Sequence, residues 1–363
     1  MDHSKPHPEF YNVPWATDSF NGMPYRSLGR SGLRVSNVGL GTWKIGYPRT
    51  GDGARVDEKA AWRIFDRAIE CGVTFWDTAN RYNGASGNSE RIIGRWFRSN
   101  PEQRRNVVLA TKVFGGMDGR TPNHSGLSRL SIMESVYACL ERLQVESVDV
   151  LYFHAFDPVT PIEESLAAVE DLMRQDIVRY LAVSNFSVAQ LNEYRKASGA
   201  FSRCCVLAVQ NQFDILNGEG KEHSGVLGCA AKTGVSFVAW SPLARGLLSE
   251  KYLEPAKASR GDRLIDEGDL VKVLTPETLA TLRRLAVVAR ELGLTLTQLA
   301  LAYMLTLPGM GPVIPSATSV EQVEANAAAG KVVLSEAQRR RVRDALAGPG
   351  RGRARSGSAR PAP

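Results

Sequence analysis

From Asn37 almost to its end, this 363-residue chain alternates short apolar runs with amphipathic helical stretches, eight times over. The strand-like runs are Val38–Trp43, Thr74–Thr78, Val107–Val113, Val148–Phe153, Arg179–Ser184, Val206–Gln210, Ser236–Ser241 and Pro312–Ser316. Helical patterns follow each of them: Glu58–Cys71, Ser89–Phe97, Ser131–Leu143, Ile162–Arg174, Val188–Ala197, Gly225–Thr233, Pro276–Leu292 and Val320–Ala328. Strands written as continuous apolar runs need cover on both faces, the signature of a parallel sheet flanked by helices. Eight such units predict an α/β fold in which the sheet closes into a (β/α)8 TIM barrel, with a doubly wound open sheet as the rival.

Upstream of the first strand, Tyr25 to Val35 reads as two short runs around a Gly-containing turn, a β-hairpin that would plug the bottom of a barrel. Longer connections occur at Phe114–Arg129 after the third strand and at Ala244–Thr275 after the seventh. Loops of that length are usually functional, and both leave the C-terminal ends of their strands, where barrel enzymes assemble their sites. Asp269 to Thr306 carries extra helical material, two helices before the last strand. The expected division is an N-terminal extension over residues 1–24, a barrel over 25–346 and a disordered basic tail over 347–363.

Composition excludes several classes. With 43% hydrophobic and 23% charged residues the chain can bury a sizeable core. It contains no run of 18 apolar residues, and Met1 to Pro14 is polar and Pro-rich, so neither a membrane span nor a signal peptide is expected and the location reads as cytoplasmic. The five cysteines and five histidines have neither disulfide nor metal-ligand spacing, so no metal is expected. The net charge of +7 owes four units to Arg351, Arg353, Arg355 and Arg360 in the tail, and subtracting them leaves +3. No aromatics interleave those arginines, which argues against a specific nucleic-acid partner.

Lys112 ends an otherwise apolar strand, and a lysine there calls for a carboxylate. Asp77 ends the preceding strand, Tyr82 follows it by five residues, and His154 ends the next one. Each residue alone has an ordinary explanation: a turn cap, a surface aromatic, a core histidine. Together all four fall on one rim of the barrel, where a site is built. Tyrosine is a poor acid–base catalyst at neutral pH, and a neighbouring ammonium lowers its pKa. Lys112 would supply that charge, Asp77 would hold the ammonium, and His154 could donate a hydrogen bond to a substrate oxygen. The set suits protonation of a carbonyl oxygen as hydride reaches carbon, or the reverse.

The remaining strand ends offer a place for the hydride carrier. Ser184 and Asn185 end the fifth strand, Gln210 the sixth, and Trp240, Ser241, Leu243, Arg245 and Gly246 follow the seventh. Amides and hydroxyls can hold a nicotinamide carboxamide and an aromatic can stack on its ring. Gly39-Leu40-Gly41-Thr42-Trp43 is not the Gly-x-Gly-x-x-Gly fingerprint, so a Rossmann site is not expected.

The segments Asp77-Thr78-Ala79-Asn80-Arg81-Tyr82, Thr111-Lys112, Leu151-Tyr152-Phe153-His154, Ser184-Asn185-Phe186, Val209-Gln210 and Ser241 to Leu248 resemble the aldo-keto reductase superfamily, over roughly Tyr25 to Leu346. The resemblance implies a barrel, an NADPH-dependent carbonyl reductase acting on a small carbonyl or alcohol, Tyr82 as proton donor, and Asp77, Lys112 and His154 as its partners. It further implies Asn185 and Gln210 on the carboxamide, Trp240 against the nicotinamide, and Gly41, Thr42 and Trp43 at the cofactor. The adenosine end is expected at Ile314 to Ser319, with Gln322 and Asn326 on the helix that follows, whose N-terminus suits a phosphate. Ser316 stands where the family usually has glycine and Thr318 where it often has arginine or serine, so NADH stays beside NADPH. Lys251 and Arg260 could supply phosphate-binding charge instead.

Gly126-Leu127-Ser128-Arg129, Leu140 to Gln144 and Asp157 to Pro161 resemble the branch holding potassium-channel β-subunits and related bacterial reductases. That branch adds an alternative, a nucleotide-sensing regulatory subunit of a membrane protein, and makes a homo-oligomer an expectation. His154 weighs against the alternative, because the channel subunits lack histidine there. Trp43, Tyr47, Phe114 and Phe156 could line an apolar substrate pocket or belong to the core.

Overall fold

The computed structural model describes residues 18–117 and 119–348; most of the expected N-terminal extension and nearly all of the basic tail lie outside the described residues. Strands β1 (Ser19–Phe20), β2 (Met23–Ser27) and β3 (Arg34–Ser36) form an antiparallel sheet. The next strands are β4 (Leu40–Gly41), β5 (Phe75–Asp77), β6 (Val108–Val113), β7 (Val148–Phe153), β8 (Val178–Ser184) and β9 (Val206–Asp214). A short β10 (Gly218–Glu219) folds back on β9, and β11 (Ser236–Trp240) and β12 (Met310–Ile314) complete the set. The order β12-β11-β9-β8-β7-β6-β5-β4 is parallel throughout. Parallel bridges from Val38 to Val313 and from Gly41 to Ser316 join the two ends, so the sheet closes into a (β/α)8 barrel.

Helices α1 (Glu58–Glu70), α2 (Tyr82–Ala85), α3 (Asn88–Ser99), α4 (Arg129–Leu143), α5 (Ile162–Arg174), α6 (Val188–Ser198) and α7 (Val226–Thr233) occupy the first six connections between barrel strands, α2 and α3 sharing one. The seventh strand is followed by α8 (Arg263–Asp266) and α9 (Leu270–Val273), then by α10 (Pro276–Glu291) and α11 (Leu296–Met304), the two helices expected there. Last come α12 (Val320–Gly330) and α13 (Glu336–Ala347). Local chemistry sets the starts: Asp57 and Ser128 accept the N3 amides of α1 and α4, and Ser187–Gln190, Thr295–Gln298 and Ser335–Gln338 are reciprocal capping boxes. No single described helix is long and apolar enough to cross a membrane.

The first barrel strand is shorter than expected, two residues instead of six, because beyond Gly41 the chain turns to bond Asp77 O through Thr42. The sixth is longer and curls outward to meet β10. Inside the barrel, Phe75, Ala110, Val150, Ala182, Ala208, Val238 and Ile314 form one apolar layer, closed from below by Leu28 and Val35 of the hairpin. The opposite parity, Trp76, Leu109, Leu151, Leu181, Val183, Val209, Phe237 and Val313, packs against the helices in the outer core. Period-two alternation thus divides each strand between two cores.

Candidate active site

Counting two residues onward from that inner layer reaches the mouth of the barrel: Phe75 leads to Asp77, Ala110 to Lys112, Ala182 to Ser184, Ala208 to Gln210, Val238 to Trp240 and Ile314 to Ser316. On the fourth strand Val150 leads to Tyr152 and then to His154. The pleat alone puts these side chains on one inward face.

Lys112 is 1% exposed. Its ammonium donates to Asp77 Oδ1 at 2.5 Å, to Thr78 O at 3.0 Å and to Tyr82 Oη at 2.8 Å, which uses all three of its protons. Tyr82 in turn donates its hydroxyl proton to Asp77 Oδ1 at 3.2 Å. The other carboxylate oxygen of Asp77 accepts from Gln210 Nε2 at 2.7 Å. The ring of Tyr82 meets His154 edge to face at 6.1 Å, and Tyr152 lies 5.6 Å from the ammonium. Asp77, Tyr82 and Lys112 are therefore one hydrogen-bonded unit, with His154 beside it.

The electrostatics differ from the sequence expectation in one respect. Lys112 was expected to draw the Tyr82 phenol down, but burial and the Asp77 carboxylate push it well above its ordinary value. The phenol stays protonated and ready to donate. Burial also lowers the Lys112 ammonium, while Asp77 and Glu90 push it back up. Burial, helped by Lys112 and Arg81, takes His154 down to about 3, so its imidazole is neutral at physiological pH and has a single N–H to give.

A buried polar layer supports the unit from behind. Glu90, on α3 and completely buried, accepts from Thr111 Oγ1 at 2.6 Å and from Arg142 Nε at 2.6 Å. Thr111 faces outward on the strand that turns Lys112 inward. Ser89 donates to Thr42 Oγ1 at 2.8 Å and lies 3.1 Å from Thr78 Oγ1, and Thr42 Oγ1 donates to Asp77 O at 2.9 Å. The Thr42 hydroxyl holds the strand that carries Asp77.

On the far side of the mouth, Asn185 adopts φ 60°, and its amide donates to His154 O at 2.9 Å and to Ser184 Oγ at 3.2 Å while accepting from Trp240 Nε1 at 3.2 Å. Ser184 Oγ donates to Gln210 O at 2.8 Å. The structure brings these four residues together. Beyond them Ser241, Ala244 and Arg245 also have left-handed backbone, which folds residues 241–246 into a tight turn around Leu243 O and Gly246. Opposite, Gly41 leaves room at Ser316: a Cβ there would lie 3.1 Å from both Ser316 Oγ and Ile314 Cγ2. Thr318 N and Oγ1 both donate to Gln322 Oε1, and Asn326 is buried one turn further along α12.

The long connection after β11 reaches across to the first strand. Arg263 and Lys44 both lie over the Trp43 ring, at 4.7 and 4.0 Å from its centroid, and Arg55 donates to Gly261 O at 3.0 Å and pairs with Asp266 at 2.5 Å. Arg245 is tied to Glu267 and Asp269, and Lys251 to Asp262, all within the same connection. Arg260 is exposed.

Comparison with known proteins joins this geometry to a family. The sequence profile described as the Aldo/keto reductase family matches residues 37–347. The chain belongs to the aldo/keto reductase family. A Bacillus subtilis (strain 168) relative named "Uncharacterized oxidoreductase YrpG" is 34% identical over 335 residues, 90% of this chain and 97% of its own length. Proteins of Oryza sativa subsp. japonica and Arabidopsis thaliana, each named "Probable voltage-gated potassium channel subunit beta", are 33% identical over 313 residues, 86% of this chain and 92% of theirs. Membership of the aldo/keto reductase family makes the chain an oxidoreductase.

Within this aldo/keto reductase, three features of the site have no sequence motif of their own. Thr78 contributes a backbone carbonyl, which any residue could supply. Glu90 reads in sequence as a first-turn acid on a helix, and only its spacing from the Thr-Lys pair across the fold reveals its partner. The ion pairs of Arg245 and Lys251 were open to inspection, since Asp262, Glu267 and Asp269 lie in the same connection.

Proposed function

We propose that this chain is an NADPH-dependent reductase of aldehydes or ketones, with Tyr82 as the proton donor. The observation that carries the reading is the Lys112 ammonium, whose three protons are divided among Asp77, Thr78 O and Tyr82. Such an ammonium stabilises the phenolate left when Tyr82 gives up its proton, and Asp77 holds it in place without taking it from the phenol.

The residues at the mouth suit a nicotinamide nucleotide. Trp240 offers a half-exposed ring pinned by Asn185, Gly41 leaves a cradle that a Cβ would fill, and the α12 N-terminus with Ser316 and Thr318 exposed offers backbone N–H groups to a phosphate. Ser184, Asn185 and Gln210 would hold the carboxamide, Ser241 to Gly246 would border the pyrophosphate, and Gln322 and Asn326 would face the adenosine end. Lys251 and Arg260, in the long connection after the seventh strand, would supply charge for a 2′-phosphate, and NADH is the alternative. Bound there, the nucleotide supplies the hydride.

The protein's own groups do the rest. His154, neutral, donates its one N–H to the substrate oxygen and aims it at Tyr82. Tyr82 passes its proton to that oxygen, and the resulting phenolate is held by Lys112 until water restores the proton. The reverse direction uses the same groups in the opposite order.

The test is NADPH and NADH oxidation against a panel of aldehydes and ketones, with binding of each nucleotide measured in parallel. Turnover that falls in Tyr82→Phe by about 100-fold or more while nucleotide binding persists supports the reading. Nucleotide binding without turnover of any carbonyl would overturn it in favour of a sensing subunit.

A further inference from the structure

Arg81 immediately precedes Tyr82, is exposed, and among the described residues has no hydrogen bond or ion pair. Its stem crosses Gly115, three residues beyond Lys112: a Cβ built on Gly115 would lie 2.3 Å from Arg81 Cδ and 2.6 Å from Nη1. Asn80 Nδ2 donates to Gly115 O at 3.4 Å, so the two segments are also tied through the neighbouring residue. The guanidinium charge reaches His154, where it acts with Lys112 to keep the imidazole neutral.

Among the described residues, the charge balance at this rim leaves Arg81 over. Asp77 offsets Lys112, and His154 carries no charge. Asp52, packed near the turn that follows Tyr82, is taken up by the amides of Tyr47 and Ala54 and by Asn88 Nδ2. Glu90 faces Arg142 on the outer side of the barrel. A guanidinium with no partner among the described residues, on the residue next to the phenol that would give up its proton, is a planar fork of donors that can take an oxyanion.

Resting on the reductase reading, we propose that Arg81 selects carbonyl substrates that carry a second, anionic group, a carboxylate or a phosphate, a few bonds from the carbonyl carbon. Gly115 is the companion feature, because a Cβ there would push the Arg81 side chain off the path it takes across the chain.

Matched pairs test this: succinic semialdehyde against butanal, and glyceraldehyde 3-phosphate against glyceraldehyde, each with the wild type, Arg81→Gln, Arg81→Lys and Gly115→Ala. The expected result is a kcat/KM ratio favouring the anionic member by roughly tenfold or more in at least one pair. The ratio falls towards one in Arg81→Gln, is partly kept in Arg81→Lys, drops in Gly115→Ala although the charge remains, and shrinks with added salt. The pair that shows the effect tells carboxylate from phosphate. A wild-type ratio near one in both pairs, or a ratio that Arg81→Gln leaves unaltered, overturns the proposal. If no carbonyl in either pair is reduced with either nucleotide, the reductase reading itself has failed; turnover of the neutral members that depends on Tyr82, with no discrimination, sinks the Arg81 proposal alone.

Discussion

The side-chain amide of Gln210 donates to Asp77 Oδ2 at 2.7 Å, joining residues 133 positions apart across the mouth of the barrel. One of its two N–H groups is thereby committed to a buried carboxylate. The second N–H and the carbonyl oxygen of that amide are left, a donor and an acceptor that a bound carboxamide could pair with from both of its own sides. Gln210→Met removes both functions. It is expected to weaken nucleotide binding by roughly tenfold and to lower stability by about 1–3 kcal/mol, because Asp77 loses a hydrogen bond in a buried place. Quenching of Trp240 fluorescence on titration and a denaturant melt read the two effects separately; unchanged affinity would move Gln210 out of the nucleotide site.

Asp77 and Lys112 are a buried ion pair, and such pairs are costly to break from one side. Asp77→Asn leaves the ammonium without a counter-charge and should cost about 3–5 kcal/mol. Adding Lys112→Met removes the stranded charge and should return much of that loss. Urea midpoints of the two single variants and the double variant check this, and a strictly additive double variant would mean that the pair is not coupled.

His154 gives a stability signature with a definite sign. Its folded pKa of about 3 lies below the ordinary 6.5, so between those values the unfolded chain binds a proton that the native chain does not. The contribution is complete above about pH 6.5 and is lost as the pH falls, at about 1.4 kcal/mol per pH unit. Between about pH 7.5 and about pH 5 the wild type should lose about 2 kcal/mol more than His154→Gln. Denaturant melts at the two pH values measure the difference, and equal losses would show that His154 titrates normally. The same neutrality means that no imidazole inflection should appear in the activity profile between about pH 5 and about pH 8.

Ala85 has φ 61° in the turn directly after Tyr82, a left-handed conformation that costs an L-residue with a Cβ about 1–2 kcal/mol. Ala85→Gly relieves that strain and loses part of the gain to the more flexible unfolded chain. A net stabilisation of about 0.5–1 kcal/mol is expected, seen as a raised melting temperature. Its neighbour Asn83, at φ 55°, donates from Nδ2 to Ile45 O at 2.5 Å, a bond that glycine there would lose.

The barrel was legible because its information is local: each strand announces itself as an apolar run between helical stretches, and the hairpin by its turn. The meeting of Asp77, Tyr82 and Lys112 was legible for a related reason, since three charged or phenolic groups at consecutive strand ends have one rim to share. Depth was not legible. The sequence shows Lys112 next to Tyr82 but not how much water each loses, and it is that loss, with Asp77, that raises the phenol. Likewise Glu90, Thr111 and Arg142 meet because a helix, a strand and another helix pack together, and nothing within any one of those segments points to the other two. The bond from the Thr42 hydroxyl to the backbone of the next strand was equally hidden, because nothing around Thr42 in the chain points to Asp77 O.

The two-residue step from the apolar layer to the mouth has an evolutionary reading. Ala182, Ala208 and Val238 settle whether the barrel holds together, while Ser184, Gln210 and Trp240, one pleat higher on the same strands, line its mouth. Changes in the upper tier can then alter appetite without reopening the question of shape, and drift in the lower tier can alter heat tolerance without changing diet. One barrel can in this way serve a lineage of enzymes with different tastes.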